Sequence, residues 1–329
     1  MTFQRGHKTM QAITFNNSGD PISVLHLTTQ KTPVPNPDQV LIKVKLAAIQ
    51  PADFLFIDSK YRVKPIFPQI AGIEGYGEIV AIGSEVKTRM VGDLVAFRST
   101  GVWAEYAVAQ ESRTYITPQN TTPEIAVQFA LNPLTAWGLL DVSIKHPNCD
   151  ILYTAANSVV AKQSAYIAAK QGHKPFGLIR GKGGYQLLDL VTKQAISSAK
   201  SISECLEQAN VHFDVIIDAV GGKETPSLIQ HLKSLGRFVS YGILDSSSFT
   251  LPTSMILFKN LTWLGFGIDA WLNQLSNEKL TAIENDLWVC LSENTELAPV
   301  SRVFNINEFQ AAIENAVTNK MGKTLISLA

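Results

Sequence analysis

Apolar and polar residues alternate through the first third of the chain, with the period of half-buried β-strands. The clearest run is Val40 to Ala48, VLIKVKLAA, and the proline-containing stretch before it, TPVPNPDQ, is typical of a loop. Further short strands are predicted at Gln11 to Phe15, Glu78 to Val86, Asp93 to Phe97 and Ala104 to Val108. Residues 1–125 are therefore predicted to form a small β-barrel domain.

The pattern changes near Pro123, where Thr121 and Thr122 precede a helix-favouring Pro-Glu pair. Short apolar strands then alternate with helical periodicity. The strands are predicted at Asp150 to Thr154, Pro175 to Ile179, Phe213 to Val220, Arg237 to Tyr241 and Leu261 to Ile268, and the helices at Ser158 to Gln171 and around Leu228 and Leu232. Such alternation predicts an α/β fold, a doubly wound parallel sheet of the dinucleotide-binding type, over residues 126–294.

The last segment returns to short elements after about Leu291. A helix is predicted at Phe309 to Ala316 and a final strand at Lys323 to Leu328. We expect residues 295–329 to rejoin and complete the first domain.

Composition narrows the class of protein. The chain has 329 residues, which is more than a single hydrophobic core usually supports, so two domains are expected. Lys plus Arg and Asp plus Glu both number 28, and no basic stripe of a nucleic-acid binder is present. Three scattered Cys argue against a disulfide framework and favour a reducing, cytoplasmic compartment. No apolar run suits a membrane span, and the first ten residues, MTFQRGHKTM, lack the apolar region of a secretory signal.

A candidate phosphate-binding loop lies between a predicted strand and helix, at Tyr153 to Gln163, YTAANSVVAKQ. The usual glycines allow the backbone to approach a pyrophosphate, and here Val159 and Ala161 fill the last two glycine positions. The helix N-terminus still offers backbone amides to phosphate, and Asn157 or Ser158 can cap it. A β–α turn that binds nothing is the alternative.

The end of the next strand bears on the choice of nicotinamide cofactor. It reads Leu178-Ile179-Arg180-Gly181-Lys182, with Tyr185 just after and no acid before Asp189. An acid there would bind the ribose hydroxyl of NAD, whereas Arg matches the 2′-phosphate of NADP. The sequence favours NADPH, and a solvated basic loop is the alternative.

The glycine-rich stretch Ala71 to Phe97 resembles medium-chain dehydrogenases/reductases. Their zinc enzymes carry Gly-His-Glu where this chain has Gly72-Ile73-Glu74, and isoleucine cannot bind zinc, so the zinc-free members are indicated. Within that group the mitochondrial-type 2-enoyl thioester reductases are similar at three places. These are Asn132-Pro133-Leu134-Thr135-Ala136, Ala156-Asn157-Ser158, and Phe258-Lys259-Asn260-Leu261 with Gly265-Phe266 and Trp271. A departure is Gln50, in Gln50-Pro51-Ala52-Asp53, where the family has Asn.

The resemblance implies a GroES-like β-barrel domain and a Rossmann domain, with the active site in the cleft between them. It also implies that Tyr61 is the proton or hydrogen-bond donor. The implied cofactor-binding residues are Gln50, Thr135, Asn157, Ser158, Val159, Val160, Arg180, Lys182, Tyr185, Gly221, Tyr241, Gly242, Phe266 and Lys323. No metal is predicted, because Gln50 and Ile73 stand at ligand positions and the cysteine-rich zinc lobe is missing. His146 and Cys149 flank Pro147 in what we predict as a loop, and we do not assign them as a ligand pair.

The predicted function is zinc-independent, NADPH-dependent reduction of an activated C=C bond, with 2-enoyl thioesters as the first substrate class. Two alternatives stay open, a quinone oxidoreductase and a non-catalytic protein that binds NADPH or no cofactor. A homodimer is expected, because the resemblance implies that the strand at Leu261 to Ile268 lies at the sheet edge and an unpaired edge invites pairing.

Overall fold

The computed structural model describes residues 9–319 and 321–328. Most of the first ten residues, MTFQRGHKTM, lie outside these ranges. The chain divides into two units, one formed by the chain up to Leu131 together with the segment from Glu284 onward, the other by Asn132–Ile283. Among the described residues, no helix has the length and apolar character needed to cross a membrane.

The first unit is dominated by strands, as the alternating pattern predicts. Its N-terminal elements are β1 Thr9–Phe15, α1 Pro21–Val24, β2 His26–Lys31, β3 Gln39–Ala48, α2 Pro51–Ile57, β4 Gln69–Ile70, β5 Glu74–Ile82, β6 Leu94–Arg98, β7 Tyr106–Gln110, β8 Thr114–Ile116 and α3 Pro123–Ala126. Strand β5 begins at Glu74 rather than at the predicted Glu78. The reason is its glycines, since a Cβ at Gly77 would lie 2.2 Å from the backbone oxygen of Lys43 in β3.

The second unit alternates strands and helices. Its elements are α4 Asn132–Ser143, β9 Asp150–Tyr153, α5 Val159–Lys170, β10 Lys174–Gly181, β11 Gly184–Asp189, β12 Ala195–Ala199, α6 Ile202–Ala209, β13 Phe213–Asp218, α7 Thr225–Gln230, β14 Leu232–Ser240, α8 Thr253–Leu257, β15 Thr262–Gly265 and α9 Ile268–Leu272. Leu232, predicted within a helix, instead opens β14, because α7 ends after Gln230 and Leu232 is fully buried in the core of this unit.

The sheet of the second unit has the order β12-β11-β10-β9-β13-β14-β15. Strands β10, β9, β13, β14 and β15 are parallel neighbours, which agrees with the predicted parallel sheet. Strand β11 departs from it, since it pairs antiparallel with both β10 and β12. The chain after β10 turns sharply at Gly184, φ 125°, and again at Lys193, φ 61°, so it enters the sheet as a strand instead of crossing it as a helix.

The remaining elements are α10 Asn277–Glu293, β16 Val300–Asn305, α11 Phe309–Thr318 and β17 Lys323–Ser327. Strand β17 pairs antiparallel with β3, and this register places Leu325 opposite Ala48. Strand β5 also pairs with β3 and places Glu74 opposite Ala48. The first residues of β5 and β17 therefore meet at the end of β3, which determines the polar site described next.

Candidate functional site

A chain of buried polar side chains crosses the first unit. Gln50 precedes α2, Glu74 opens β5 and Lys323 opens β17, and their exposed fractions are 1%, 0% and 9%. The Lys323 ammonium donates to the side-chain oxygen of Gln50, and the Gln50 amide nitrogen donates to Glu74. The second Glu74 oxygen accepts the backbone N–H of Leu131 at 2.7 Å.

Asp53 anchors this chain to α2. Its carboxylate accepts the backbone N–H of Gln50 at 2.6 Å, which completes a capping box at the start of the helix. Asp53 has no exposed surface. The helix cap therefore holds Gln50 in the position from which it joins Lys323 to Glu74.

Burial perturbs all three ionisable groups. It raises the pKa of Asp53 to about 8 and that of Glu74 to about 7, and the positive charge of Lys323 opposes both shifts. Burial also lowers the pKa of Lys323 to about 8, against the attraction of the two carboxyl groups. Asp53 and Glu74 therefore retain protons near neutral pH, because both carboxyl groups are buried and only one ammonium, that of Lys323, lies near them.

Among the side chains described at this site, the groups that could bind zinc are the carboxylates of Asp53 and Glu74. Zinc takes thiolate, imidazole or carboxylate ligands. Ile73 is buried among apolar side chains, and both oxygens of Glu74 already accept hydrogen bonds. The Lys323 ammonium supplies the positive charge that a metal ion would otherwise bring to these carboxyl groups.

Tyr61 lies in the turn after α2. Its backbone N–H donates to the Leu55 carbonyl at 2.9 Å, and its half-buried side chain packs against the core of the unit. The Arg62 guanidinium lies 5.7 Å from the centroid of its ring. Arg98, the last residue of β6, pairs across the sheet with Glu74 and interacts electrostatically with Tyr61.

Sequence reasoning missed Asp53 and Arg98 as members of this region. The spacing of Gln50 and Asp53 at a helix start was a local signal for Asp53, because it is the spacing of a capping box. Arg98 had no comparable signal. A charged residue at the end of a strand is ordinarily exposed, whereas Arg98 is 7% exposed here.

The candidate phosphate loop of the second unit runs from Thr154 to Ser158, between β9 and α5. Ser158 is the N-cap, and its hydroxyl accepts the N–H of Ala161 at 3.3 Å, which confirms the predicted cap. Val159 and Val160 begin the helix, where backbone amides have no intrahelical acceptor. Ala155 adopts a left-handed conformation, φ 46°, which glycine adopts at less cost, and the sequence analysis did not anticipate this.

Asp218, another residue missed from sequence, ties this loop to its neighbours. It is fully buried at the end of β13 and accepts hydrogen bonds from the Thr154 hydroxyl at 2.6 Å and the Gly221 N–H at 2.9 Å. The Tyr241 hydroxyl hydrogen-bonds with Ser158, and burial raises the pKa of Tyr241 to about 12. The structure thus brings Ser158, Gly221 and Tyr241 to the carboxyl ends of β9, β13 and β14.

Gly242 follows Tyr241, and a Cβ at this position would lie 2.3 Å from the Ala219 oxygen. Only glycine fits so close to the neighbouring backbone. Thr135 lies elsewhere in the unit, on α4, and is 9% exposed. Phe266 follows β15 and packs beside Trp271.

The predicted 2′-phosphate residues lie on the hairpin of β10 and β11. Arg180 pairs with Tyr185 across the hairpin, and its guanidinium lies 5.9 Å from the centroid of the Tyr185 ring. Arg180 and Lys182 are both exposed. The last pair between β9 and β10 joins Tyr153 to Gly177, so these two cations extend beyond the carboxyl end of β9.

Comparison with known proteins defines the class. Residues 36–119 match the family model of the alcohol dehydrogenase GroES-like domain. The chain is 30% identical over 285 residues to a mitochondrial enoyl-[acyl-carrier-protein] reductase of Caenorhabditis elegans, covering 84% of this chain and 82% of that protein. It is 28% identical over 316 residues to the corresponding protein of Rattus norvegicus, covering 93% and 85%.

Two solved structures share the fold. One is described as an NADPH:quinone reductase from Mesorhizobium loti, with a TM-score of 0.83, 25% identity, and coverage of 99% of this chain and 100% of that one. The other is a mitochondrial 2-enoyl thioester reductase heterodimer from Candida tropicalis, with a TM-score of 0.74, 23% identity, and coverage of 97% and 100%.

The chain belongs to the medium-chain dehydrogenase/reductase superfamily and is an oxidoreductase of that class. Within the superfamily it stands near the mitochondrial enoyl thioester reductases, and membership implies a nicotinamide cofactor. The predicted fold class, with a GroES-like domain and a Rossmann-like parallel sheet, is confirmed. The compartment stays a prediction, because the relatives named above are mitochondrial proteins.

Proposed function

We propose that this oxidoreductase uses NADPH to reduce the activated C=C bond of 2-enoyl thioesters, without zinc, and that Tyr61 donates to the thioester. The observation that carries the proposal is the setting of Tyr61. Its backbone is fixed by Leu55 and its ring is half-buried, and it interacts electrostatically with the buried cation Arg98. The names of the reductase relatives support the substrate class.

The residues of the second unit fit a dinucleotide phosphate. The amides of Val159 and Val160 at the start of α5 would hold the pyrophosphate, since a helix N-terminus favours anions. Arg180 and Lys182 would hold the 2′-phosphate that distinguishes NADPH from NADH. The carboxylate of Asp218 does not oppose an anion there directly, because Thr154, Val220 and Gly221 donate hydrogen bonds to it.

The reaction requires few protein groups. A reduced nicotinamide held by these residues would supply a hydride to the β-carbon of the enoyl group. Negative charge then develops on the thioester oxygen, and the Tyr61 hydroxyl donates a hydrogen bond to it. The positive charge of Arg98 near Tyr61 favours the same build-up of charge. The α-carbon then takes a proton from Tyr61 or from water.

The test is Tyr61→Phe, assayed by NADPH oxidation with a crotonyl thioester. We expect turnover to fall by about a hundredfold or more, as when an oxyanion donor is lost. NADPH affinity should not change. Tyr106→Phe, on β7 of the same unit, is the matched control and should keep wild-type turnover. Wild-type turnover in Tyr61→Phe would contradict the assigned role.

A quinone oxidoreductase is the second candidate, favoured by the similarity to the Mesorhizobium loti structure. The same enzyme preparation should be assayed with a small quinone and with the crotonyl thioester. Faster turnover of the quinone, with no dependence on Tyr61, would favour this candidate. The absence of both activities in the wild-type protein would instead support a non-catalytic protein. The left-handed Ala155 and the bulky Val159 motivate this alternative.

A further inference from the structure

A second cluster of reactive side chains lies at the amino ends of β9 and β13. Cys149 directly precedes β9, Asp214 is the second residue of β13, and His146 lies on the segment between α4 and β9. One ligand atom from each of the three lies within 4.8 Å of the others. In residues 9–319 and 321–328 no other group of three His, Cys or carboxylate ligands meets this criterion.

Two of the three distances between ligand atoms are close to those of a tetrahedral metal site, and the third is at most 4.8 Å. The Cys149 sulfur lies 3.8 Å from Nε2 of His146, and this nitrogen lies 3.7 Å from Oδ1 of Asp214. Zinc bonds of about 2.3 Å to sulfur and about 2.0 to 2.2 Å to nitrogen or oxygen place tetrahedral ligand atoms roughly 3.3 to 3.6 Å apart. The sulfur also lies 3.5 Å from Nδ1 of His146, so this exposed ring must rotate to direct Nε2 at an ion held by the other two ligand atoms.

Hydrogen bonds already orient each ligand. The Oδ2 atom of Asp214 accepts the Asp150 N–H at 2.7 Å and the Lys233 ammonium at 2.9 Å, which leaves Oδ1 facing His146. Nδ1 of His146 lies 3.1 Å from the Pro147 carbonyl, and donation to that oxygen would leave a lone pair on Nε2. Metal-binding imidazoles and carboxylates are commonly held in this way by an outer layer of partners.

The charges around the cluster also favour a cation. Lys233 lies between the carboxylates of Asp150 and Asp214, at 2.6 and 2.9 Å, so one negative charge remains in excess. A thiolate from Cys149 adds a second negative charge. A divalent ion would balance both. The combination of sulfur and imidazole suits zinc or cobalt better than magnesium or calcium, which prefer oxygen ligands.

We propose that Nε2 of His146, the sulfur of Cys149 and Oδ1 of Asp214 bind a zinc ion, with water as the fourth ligand. Binding replaces the S–H bond of Cys149 with a sulfur–zinc bond and releases the proton to solvent. The thiol donates to the His146 carbonyl at 3.1 Å in the metal-free protein, and that hydrogen bond is lost. His146, which is 56% exposed, provides the route from solvent.

The site is structural rather than catalytic. It lies at the amino ends of β9 and β13, whereas the phosphate loop follows the carboxyl end of β9, and zinc would tie the segment before β9 to β13. Sequence analysis did not assign His146 and Cys149 as ligands because Pro147 indicated a loop, and the third member, Asp214, lies on a strand far along the chain. The register of β9 and β13, which pairs Ile151 with Val215, brings it alongside.

The test uses the full chain, free of any affinity tag and stripped with a chelator, titrated with Co²⁺ and then with Zn²⁺. We expect one ion per chain, a thiolate-to-cobalt charge-transfer band, and loss of that band when zinc displaces cobalt. Calorimetry in buffers of different protonation enthalpy should show about one proton released per zinc, because the thiol must ionise. A rise in Tm with added zinc should accompany binding.

His146→Ala is the principal variant, because an exposed side chain can be removed with little effect on folding. Outer-layer partners of metal ligands are worth about 10- to 100-fold in affinity, so loss of a direct ligand should weaken zinc binding by at least about 100-fold. Cys149→Ser should abolish the charge-transfer band. The controls are His26→Ala, an exposed histidine on β2, and Cys205→Ser, a buried thiol on α6, and both should bind cobalt like wild type.

Three results would overturn the proposal. These are no saturable cobalt binding at micromolar concentration, a charge-transfer band that persists in Cys149→Ser, or wild-type affinity in His146→Ala. NADPH binding measured on the same samples reports on the phosphate loop alone. Failure of the zinc site and failure of the proposed function are therefore distinguishable.

Discussion

Glu74→Gln is a nearly isosteric change that should strongly destabilise the first unit. Both oxygens of Glu74 accept hydrogen bonds, one from the Gln50 amide and one from the Leu131 N–H. A Gln at position 74 brings one oxygen and one NH₂ group, so it can satisfy only one of these donors. Gln50 cannot rotate its amide to help, because its oxygen accepts from the Lys323 ammonium.

The magnitude follows from two terms that overlap. A buried donor without an acceptor costs about 1–3 kcal/mol. Removal of one partner of a buried charge pair costs about 3–5 kcal/mol, because the other charge is left buried and unpaired. At pH 7 Glu74, with a pKa of about 7, carries more of the negative charge opposite Lys323 than Asp53, with a pKa of about 8. We expect a loss of about 3–5 kcal/mol in the free energy of unfolding.

A second substitution separates the two terms. In the double variant Glu74→Gln with Lys323→Met, no unpaired ammonium remains and Gln50 is free to rotate its amide toward Gln at position 74. The double variant should therefore lose at least about 2 kcal/mol less than the sum of the single losses, which is a coupling typical of residues in one network. Glu78→Gln is the control on the same strand. Its exposed pair with Lys45, at 3.3 Å, is worth about 1 kcal/mol at most.

The assay is urea unfolding followed by circular dichroism and by tryptophan fluorescence. Coincident transitions allow a single free energy to be assigned to each variant. Additive losses, within about 0.5 kcal/mol, would show that Glu74 and Lys323 are not coupled through Gln50. A loss of unfolding free energy in Glu74→Gln no larger than that in Glu78→Gln would likewise contradict a stabilising role for the buried hydrogen bonds of Glu74.

Stability should fall as pH rises from about 4 to 8, because the folded state holds protons on Asp53 and Glu74 that the unfolded chain releases near their usual pKa values of 3.8 and 4.5. Stability should recover toward pH 10.5, because Lys323 loses its proton at a lower pH in the folded state than in the unfolded chain. Urea midpoints measured across this pH range should therefore show a minimum near pH 8. Arg180→Ala should weaken NADPH binding about 10- to 100-fold, which is the contribution of a charge-assisted hydrogen bond, and should leave NADH binding unchanged. Nicotinamide fluorescence measures both affinities, and Lys170→Ala is the control. An equal loss of affinity for both cofactors would contradict a 2′-phosphate contact. Ala155→Gly should raise the free energy of unfolding by about 0.5–1 kcal/mol by relieving a left-handed alanine, whereas Ala156→Gly should not stabilise; a loss of stability in Ala155→Gly would refute the strain.

Local signals in the sequence determined most of the elements. The alternation in Val40 to Ala48 placed β3, the apolar strand before YTAANSVVAKQ placed β9, and Ser158 before an alanine-rich run placed the start of α5. These signals depend on residues within one turn or one strand, so they can be recognised from the sequence alone. The alternation of strands and helices also predicted the parallel sheet, since that pattern has few other ways to bury its apolar faces.

Only the tertiary structure decided which distant residues meet. Gln50, Glu74 and Lys323 form one hydrogen-bonded chain because β5 and β17 both pair with β3 at Ala48, and no local pattern specifies that register. The pairing of β9 with β13 brings Asp214 to His146 and Cys149 in the same way. Strand β11 enters the sheet because tight turns on both sides favour pairing over a crossover helix. Such contacts depend on strand order and register, which the folded chain as a whole sets through its buried faces.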